Sequence, residues 1–187
     1  MRNRCGVLVA AAAALLVVAA AVPAAARPAL PDVTDNAFLN EMLAAINTYR
    51  SRHGVPAVRL DPGLNAYARQ RAAQVSAREG LDEQHAGLRV GTGETLFWAG
   101  GSVSSPASAT EAAKVWYDGV TQYDFGRGEF GPDTGNFTQL VWKGSTRIGA
   151  ARSAGRGSRW HENYIVVNWQ APGNVMGGFR DNVFPAR

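Results

Sequence analysis

The run Gly135-Asn136-Phe137-Thr138-Gln139-Leu140-Val141-Trp142-Lys143 constrains the fold of this chain more than any other stretch. Phe137, Gln139 and Val141 alternate with Thr138, Leu140 and Trp142, which is the period of a strand. Its aromatic and β-branched content, opened by a glycine, places that strand in the core of a sheet. Further strands are expected at 147–151 and 164–169, joined by a Gly/Ser/Arg turn, with 95–98 a short apolar strand or turn and 100–105 a flexible connector. Connections this short do not allow parallel crossovers, so the sheet is expected to be antiparallel.

Helical signals come earlier. Asp35 can cap a helix whose apolar face is Phe38, Met42, Ala45, Ile46 and Tyr49, ended by Gly54 and Pro56. Asp61-Pro62 opens a second, with Leu64, Tyr67, Ala68, Ala72 and Val75 inward. Ser108-Ala109-Thr110-Glu111 is a capping box that starts a third, with Ala112, Val115, Trp116 and Val120 inward. Helices first and closely spaced strands last give an α+β fold. Helices on both faces of the sheet make it a three-layer α-β-α sandwich around a small antiparallel sheet.

Not all of the 187 residues are expected in that domain. Arg2 and Arg4 precede a run from Gly6 to Val22 that is almost wholly apolar, and Ala24-Ala25-Ala26 follows. This reads as a secretory signal peptide over 1–26, with an uncleaved anchor as the alternative. Residues 27–34, with Pro28 and Pro31, read as an extended lead-in, and 35–187 as one domain. Cys5 is the only cysteine, so the mature chain forms no disulfide and depends on burial. Cleavage removes two arginines and no acid, which lowers the net charge from +4 to +2. A nearly neutral chain gives no reason to expect nucleic acid as a partner. The arginines at 147, 152, 156 and 159 read as a solvated hairpin connection.

Several separated segments resemble, in order, the CAP superfamily (cysteine-rich secretory proteins, antigen 5, pathogenesis-related 1), also called the SCP domain. They are Asn47-Thr48-Tyr49-Arg50 with His53-Gly54-Val55-Pro56; 60–73; His85 with Gly93-Glu94-Thr95-Leu96; Trp116-Tyr117; 135–142, the most specific; and Pro172-Gly173-Asn174-Val175. The tail Gly178-Phe179-Arg180-Asp181-Asn182-Val183 resembles the disulfide-free branch of that family. The resemblance implies a cleft with two histidines and two acids, which in some members binds zinc or another divalent ion. His85 and Glu94 match one histidine and one acid. Gly119 stands where the second acid is usual, and Asn136 where the second histidine is usual.

Gly119 offers no ligand, and Asp118 beside it points about 100° away on a helix. Asn136 is a weak transition-metal ligand and exchanges no proton at neutral pH. Its amide is expected to replace the histidine's hydrogen bond and hold the loop. No cofactor is therefore expected, since His85 and Glu94 alone would hold zinc poorly. His85 and Glu94 have bland readings as well, tying down a loop. His53, at a helix end where a cation suits the dipole, reads as structural, and His161 as exposed. Ser145 stands in no nucleophile elbow. Trp98 and Phe125, in loops, are candidates to rim a ligand groove, with core packing as the alternative.

Three functions follow. One is a secreted, monomeric, non-enzymatic module that binds a lipid, a sterol or a protein through its cleft, with no membrane span after cleavage. The alternative is a secreted hydrolase or protease with His85 and Glu94 as an acid/base pair, Glu94 being raised toward neutrality by burial. A third, purely structural role at a cell surface would depend on loops such as 153–160.

Overall fold

Side-chain caps start the three long helices. The structure, a computed structural model, describes residues 27–81 and 85–187; the expected signal peptide lies outside these. The Asp35 carboxylate accepts from the Phe38 amide at 2.7 Å and opens α1 (Asn36–Arg52). Asp61 does the same for Leu64 at 3.0 Å and opens α2 (Pro62–Ser76), after the two-residue strand β1 (Arg59–Leu60). Ser108 accepts from Glu111 at 3.0 Å at the head of α3 (Ala109–Asp118). Each cap satisfies an amide that the helix leaves without an internal acceptor. Val115, expected inward on α3, is 53 % exposed.

The sheet has the order β1-β3-β4-β2, with β2 at Gly93–Gly101, β3 at Arg147–Arg156 and β4 at His161–Gln170. β2, β3 and β4 pair antiparallel, while β1 pairs parallel with β3 and so departs from the expected all-antiparallel sheet. The strands also run further than expected. β2 takes in Gly100 and Gly101, and β3 and β4 use up most of the Gly/Ser/Arg turn, because backbone pairing across β4 continues wherever a partner is alongside. The lead-in lies extended along β3, where Val33 N–H donates to Arg152 O at 2.9 Å and Ala154 N–H to Pro31 O at 3.0 Å.

Alternation sorts the sheet's side chains into two cores. Phe97, Ile148, Ala150, Ile165, Val167 and Trp169 pack with α1, α3 and the region around Phe137. Leu96, Ala151, Tyr164 and Val166 pack with Ala68, Ala72 and Val75 of α2. The result is an α-β-α sandwich. The approach of α2 is close enough that a methyl group at Gly149 would lie 2.0 Å from the backbone of Leu64.

The run that reads as a strand is a helix, α4 (Gly135–Leu140). Residues 137–142 are all buried, so the apolar pattern does not separate period 2 from period 3.6. No sheet neighbour is available there, and the backbone closes on itself instead. Thr138 N–H donates to Thr134 O at 2.9 Å and Val141 N–H to Phe137 O at 3.1 Å. The carbonyls past the end go to Arg50. Its fully buried guanidinium donates to Leu140 O, Trp142 O and Ser145 O, each at 2.9 Å, and to Pro56 O at 2.8 Å. A final helix, α5 (Phe179–Asn182), packs Phe179 against Trp142.

Candidate functional site

Glu94 sits on β2, an edge strand, and faces α2 together with Leu96. Arg71 on α2 meets it with a two-pronged ion pair, Nε to Oε2 at 2.7 Å and Nη2 to Oε1 at 2.9 Å. His85 Nδ1 lies 3.1 Å from Oε1, and Asn168 Nδ2 on β4 donates to Oε2 at 3.0 Å. Each carboxylate oxygen thus has two partners, which is the capacity of the group. Burial opposes ionisation of Glu94, but the hydrogen bonds and charge of Arg71, aided by His85 and Asn168, outweigh it and hold the carboxyl at about 2. Arg71 Nη1 also donates to Ala86 O at 2.9 Å and to Gln74 Oε1 at 2.8 Å, which ties the loop after His85 to the helix. His85 itself adopts a left-handed backbone, φ 66°, and its ring is 45 % exposed.

The hydrolase expectation needs a Glu94 raised toward neutrality, and the paired guanidinium does the reverse. Sequence reasoning missed Arg71. Its signal was an arginine three residues after Ala68 and four after Tyr67, inside the apolar stripe of α2, where a cation demands a buried acid.

The other two cleft positions lie just after α3 and at the start of α4. Gly119 follows α3 at the start of a 3₁₀ turn, Gly119–Gln122. A Cβ there would be 2.9 Å from Asp133 O and 3.2 Å from Phe137 Cβ, so the backbone has closed over the space an acid needs. Asp118 is exposed and pairs with Lys114 at 2.7 Å. Asn136 is exposed, and its amide makes no hydrogen bond among the described residues, contrary to the expected anchoring role. Asn174 holds the turn instead. It donates to Gly135 O at 2.9 Å and accepts from Thr138 Oγ1 at 2.6 Å. Gln139 joins α4 to the segment after β4 by accepting from Gly173 N–H at 2.8 Å. The structure therefore brings His85 and Glu94 together, and no hydrogen bond or ion pair joins them to Gly119 or Asn136 among the described residues.

Phe125 is not a rim residue. It is partly buried, with its ring centroid 4.9 Å from that of Tyr123, 6.2 Å from Phe137 and 6.4 Å from His53. His53 is fully buried, with Nδ1 2.6 Å from Phe184 O and Nε2 3.1 Å from Tyr117 Oη. Burial lowers its pKa, so it is a neutral core group rather than a cation at a helix end. Trp98 is 38 % exposed but lies four residues along β2 from Glu94, about 13 Å away at strand rise. Ser145 is buried, donates to Ala171 O at 2.7 Å, and has no contact with His85.

A model of the CAP family, described as the cysteine-rich secretory protein family, matches residues 43–169. The chain belongs to the CAP family. It is 35% identical over 153 residues to the human Golgi-associated plant pathogenesis-related protein 1, covering 80% of this chain and 94% of that protein. It is 35% identical to the secreted protein RBT4 of Candida albicans, covering 78% of this chain but only 38% of the length of RBT4. The pathogenesis-related protein PRMS of Zea mays is 32% identical, with 83% and 89% covered. Among solved structures, NaASP2 with Zn2+ aligns at TM-score 0.59 and 20% identity over 84% of this chain and 90% of its own. BmVAL-1 aligns at TM-score 0.62 and 14% identity over 83% and 85%. These structures share the fold.

The described residues of the cleft do not fit a divalent metal. Among the described residues, no three His, Cys, Asp or Glu side chains gather as a metal site. Both oxygens of Glu94 are committed to a guanidinium, which already supplies the positive charge there.

Proposed function

We propose that this protein is a secreted CAP-domain binding module whose cleft engages a lipid, a sterol or a protein partner without chemical turnover. The observation that carries the reading is the Glu94–Arg71 pair. A carboxylate held at about 2 by a fork of hydrogen bonds is neither a base near neutral pH nor a free ligand. Asn136 and the closed backbone at Gly119 add no titrating group. Secretion is supported by the apolar N-terminal sequence and by the names of the Candida relatives, secreted proteins RBT4 and PRY1. Among the described residues no helix is long and apolar enough to cross a membrane.

The test is paired. The purified protein is titrated with lipid and sterol classes and incubated with peptide and ester libraries. The reading expects saturable binding to one class, weakened by Asn136→Ala, and no hydrolysis above blank. Turnover that disappears in both His85→Ala and Glu94→Gln would overturn it.

A further inference from the structure

A second candidate site lies at the opposite end of β2 and does not rest on the reading of the cleft. Helix α2 stops at Ser76, but the sheet face that it covers continues. Leu96, Trp98 and Gly100 on β2 share that face with Val166, Tyr164 and Glu162 on β4, and Trp160 precedes β4 in the hairpin turn. Beyond the helix end, this face carries a hollow of about 340 Å³ lined by Glu79, Gly80, Trp98, Arg159 and Trp160. That is within the size of small-molecule sites.

The hollow is built rather than incidental. The turn closes on itself through Gly157 N–H to Trp160 O at 2.8 Å, and Ser158 Oγ donates to Glu79, which fixes the turn to the segment after α2. Trp98 is set from below. Arg27 holds the carboxyl of Glu162 low against the opposing effect of burial, and Tyr164 and the Trp98 indole add to it. The six-membered ring of that indole lies over Gly100, where a Cβ would be 2.9 Å from Cζ2 and 3.5 Å from Trp160 Cβ. Trp98 and Trp160 are 38% and 47% exposed, and neither stacks on another ring among the described residues. Arg159 is exposed and makes no hydrogen bond or ion pair among the described residues, although the carboxylate of Glu79 lines the same hollow.

Two indoles and a carboxylate suit a quaternary ammonium group, which gains from the negative faces of the rings. An unpaired guanidinium beside them suits a phosphate, which it can grip with two parallel hydrogen bonds. A single small ligand carries both groups side by side. We infer that the Trp98–Trp160 hollow binds phosphocholine, with the trimethylammonium group against the indoles and Glu79 and the phosphate at Arg159. A neutral sugar ring would use the indoles but has no use for the opposed charges.

The probe is phosphocholine itself, added to the purified protein and followed by tryptophan fluorescence and calorimetry. Saturable binding is expected, about tenfold or more tighter than phosphoethanolamine, which has the same phosphate without the methyl groups. Trp160→Ala, at an exposed position, is expected to weaken phosphocholine about tenfold with an unchanged circular dichroism spectrum. Arg159→Ala is expected to weaken phosphocholine by a similar factor while leaving choline alone unaffected, because only the phosphate has lost its partner. Co-sedimentation with phosphatidylcholine vesicles assigns the headgroup to a bilayer; its absence beside binding of the soluble probe assigns it to a free or terminal phosphocholine. No saturation up to about 10 mM, equal or tighter binding of methyl glucoside, or unchanged affinity in Trp160→Ala would overturn the inference.

Discussion

Arg71 shows how one side chain changes the chemistry of a shared scaffold. A carboxylate and an imidazole 3.1 Å apart look like an acid/base pair until the guanidinium on the other side of the carboxylate is counted. The pair is nearly inaccessible, with side chains 4% and 0% exposed, so its partners depend on each other. Arg71→Met strands a buried charge and is expected to lower unfolding stability by about 3–5 kcal/mol in urea titrations. The double variant Arg71→Met/Glu94→Leu is expected to recover most of that loss, since an apolar pair of similar volume removes both desolvation costs. A single variant within about 1 kcal/mol of wild type would mean that solvent reaches the pair. His85 and Glu94 were legible as neighbours in the sequence. Their role was not, because the deciding residue lies 23 positions upstream on another element.

Among the elements, capped helices were legible and uncapped short ones were not. Asp35, Asp61 and Ser108 mark their helices by local chemistry that tertiary context does not alter. Helix α4 has no side-chain cap, and its Phe137 and Thr138, like Val141 and Trp142 just after it, favour a strand intrinsically. It is a helix because its last carbonyls find donors on Arg50, 90 residues away at the nearest of them, which no local pattern reveals. Arg50→Lys keeps the charge but not the fork that reaches four carbonyls. It is expected to cost at least about 2 kcal/mol in denaturant unfolding, from buried acceptors left without partners. At the α2–β3 contact, Gly149→Ala drives a methyl group into the Leu64 backbone and is expected to abolish soluble expression or cost at least about 3 kcal/mol. Easy tolerance of alanine would show that α2 lies further from the sheet than described.

For the molecule as a whole, acid is the expected weakness. Glu94, Asp32, Glu41 and Glu162 all have lowered pKa values in the fold. A lowered carboxyl contributes stability that is present above its unfolded value, near 4.5 for glutamate, and is lost as pH falls through the folded one. His53 is also lowered, so the unfolded chain takes up its proton first and stability begins to fall below about 6.5. Urea midpoints measured against pH should therefore drop in two stages, with His53→Gln removing the upper one. A midpoint that stays level down to pH 3 would contradict this.

The central claim is that the cleft acid of this CAP-family domain is locked as an anion. It is tested most directly by following the Glu94 carboxyl carbon by NMR from pH 8 downward. The account predicts no titration of that carbon between pH 8 and pH 4, and a transition near 2 if the fold survives that far. A Glu94 transition between pH 5 and 7 would contradict it.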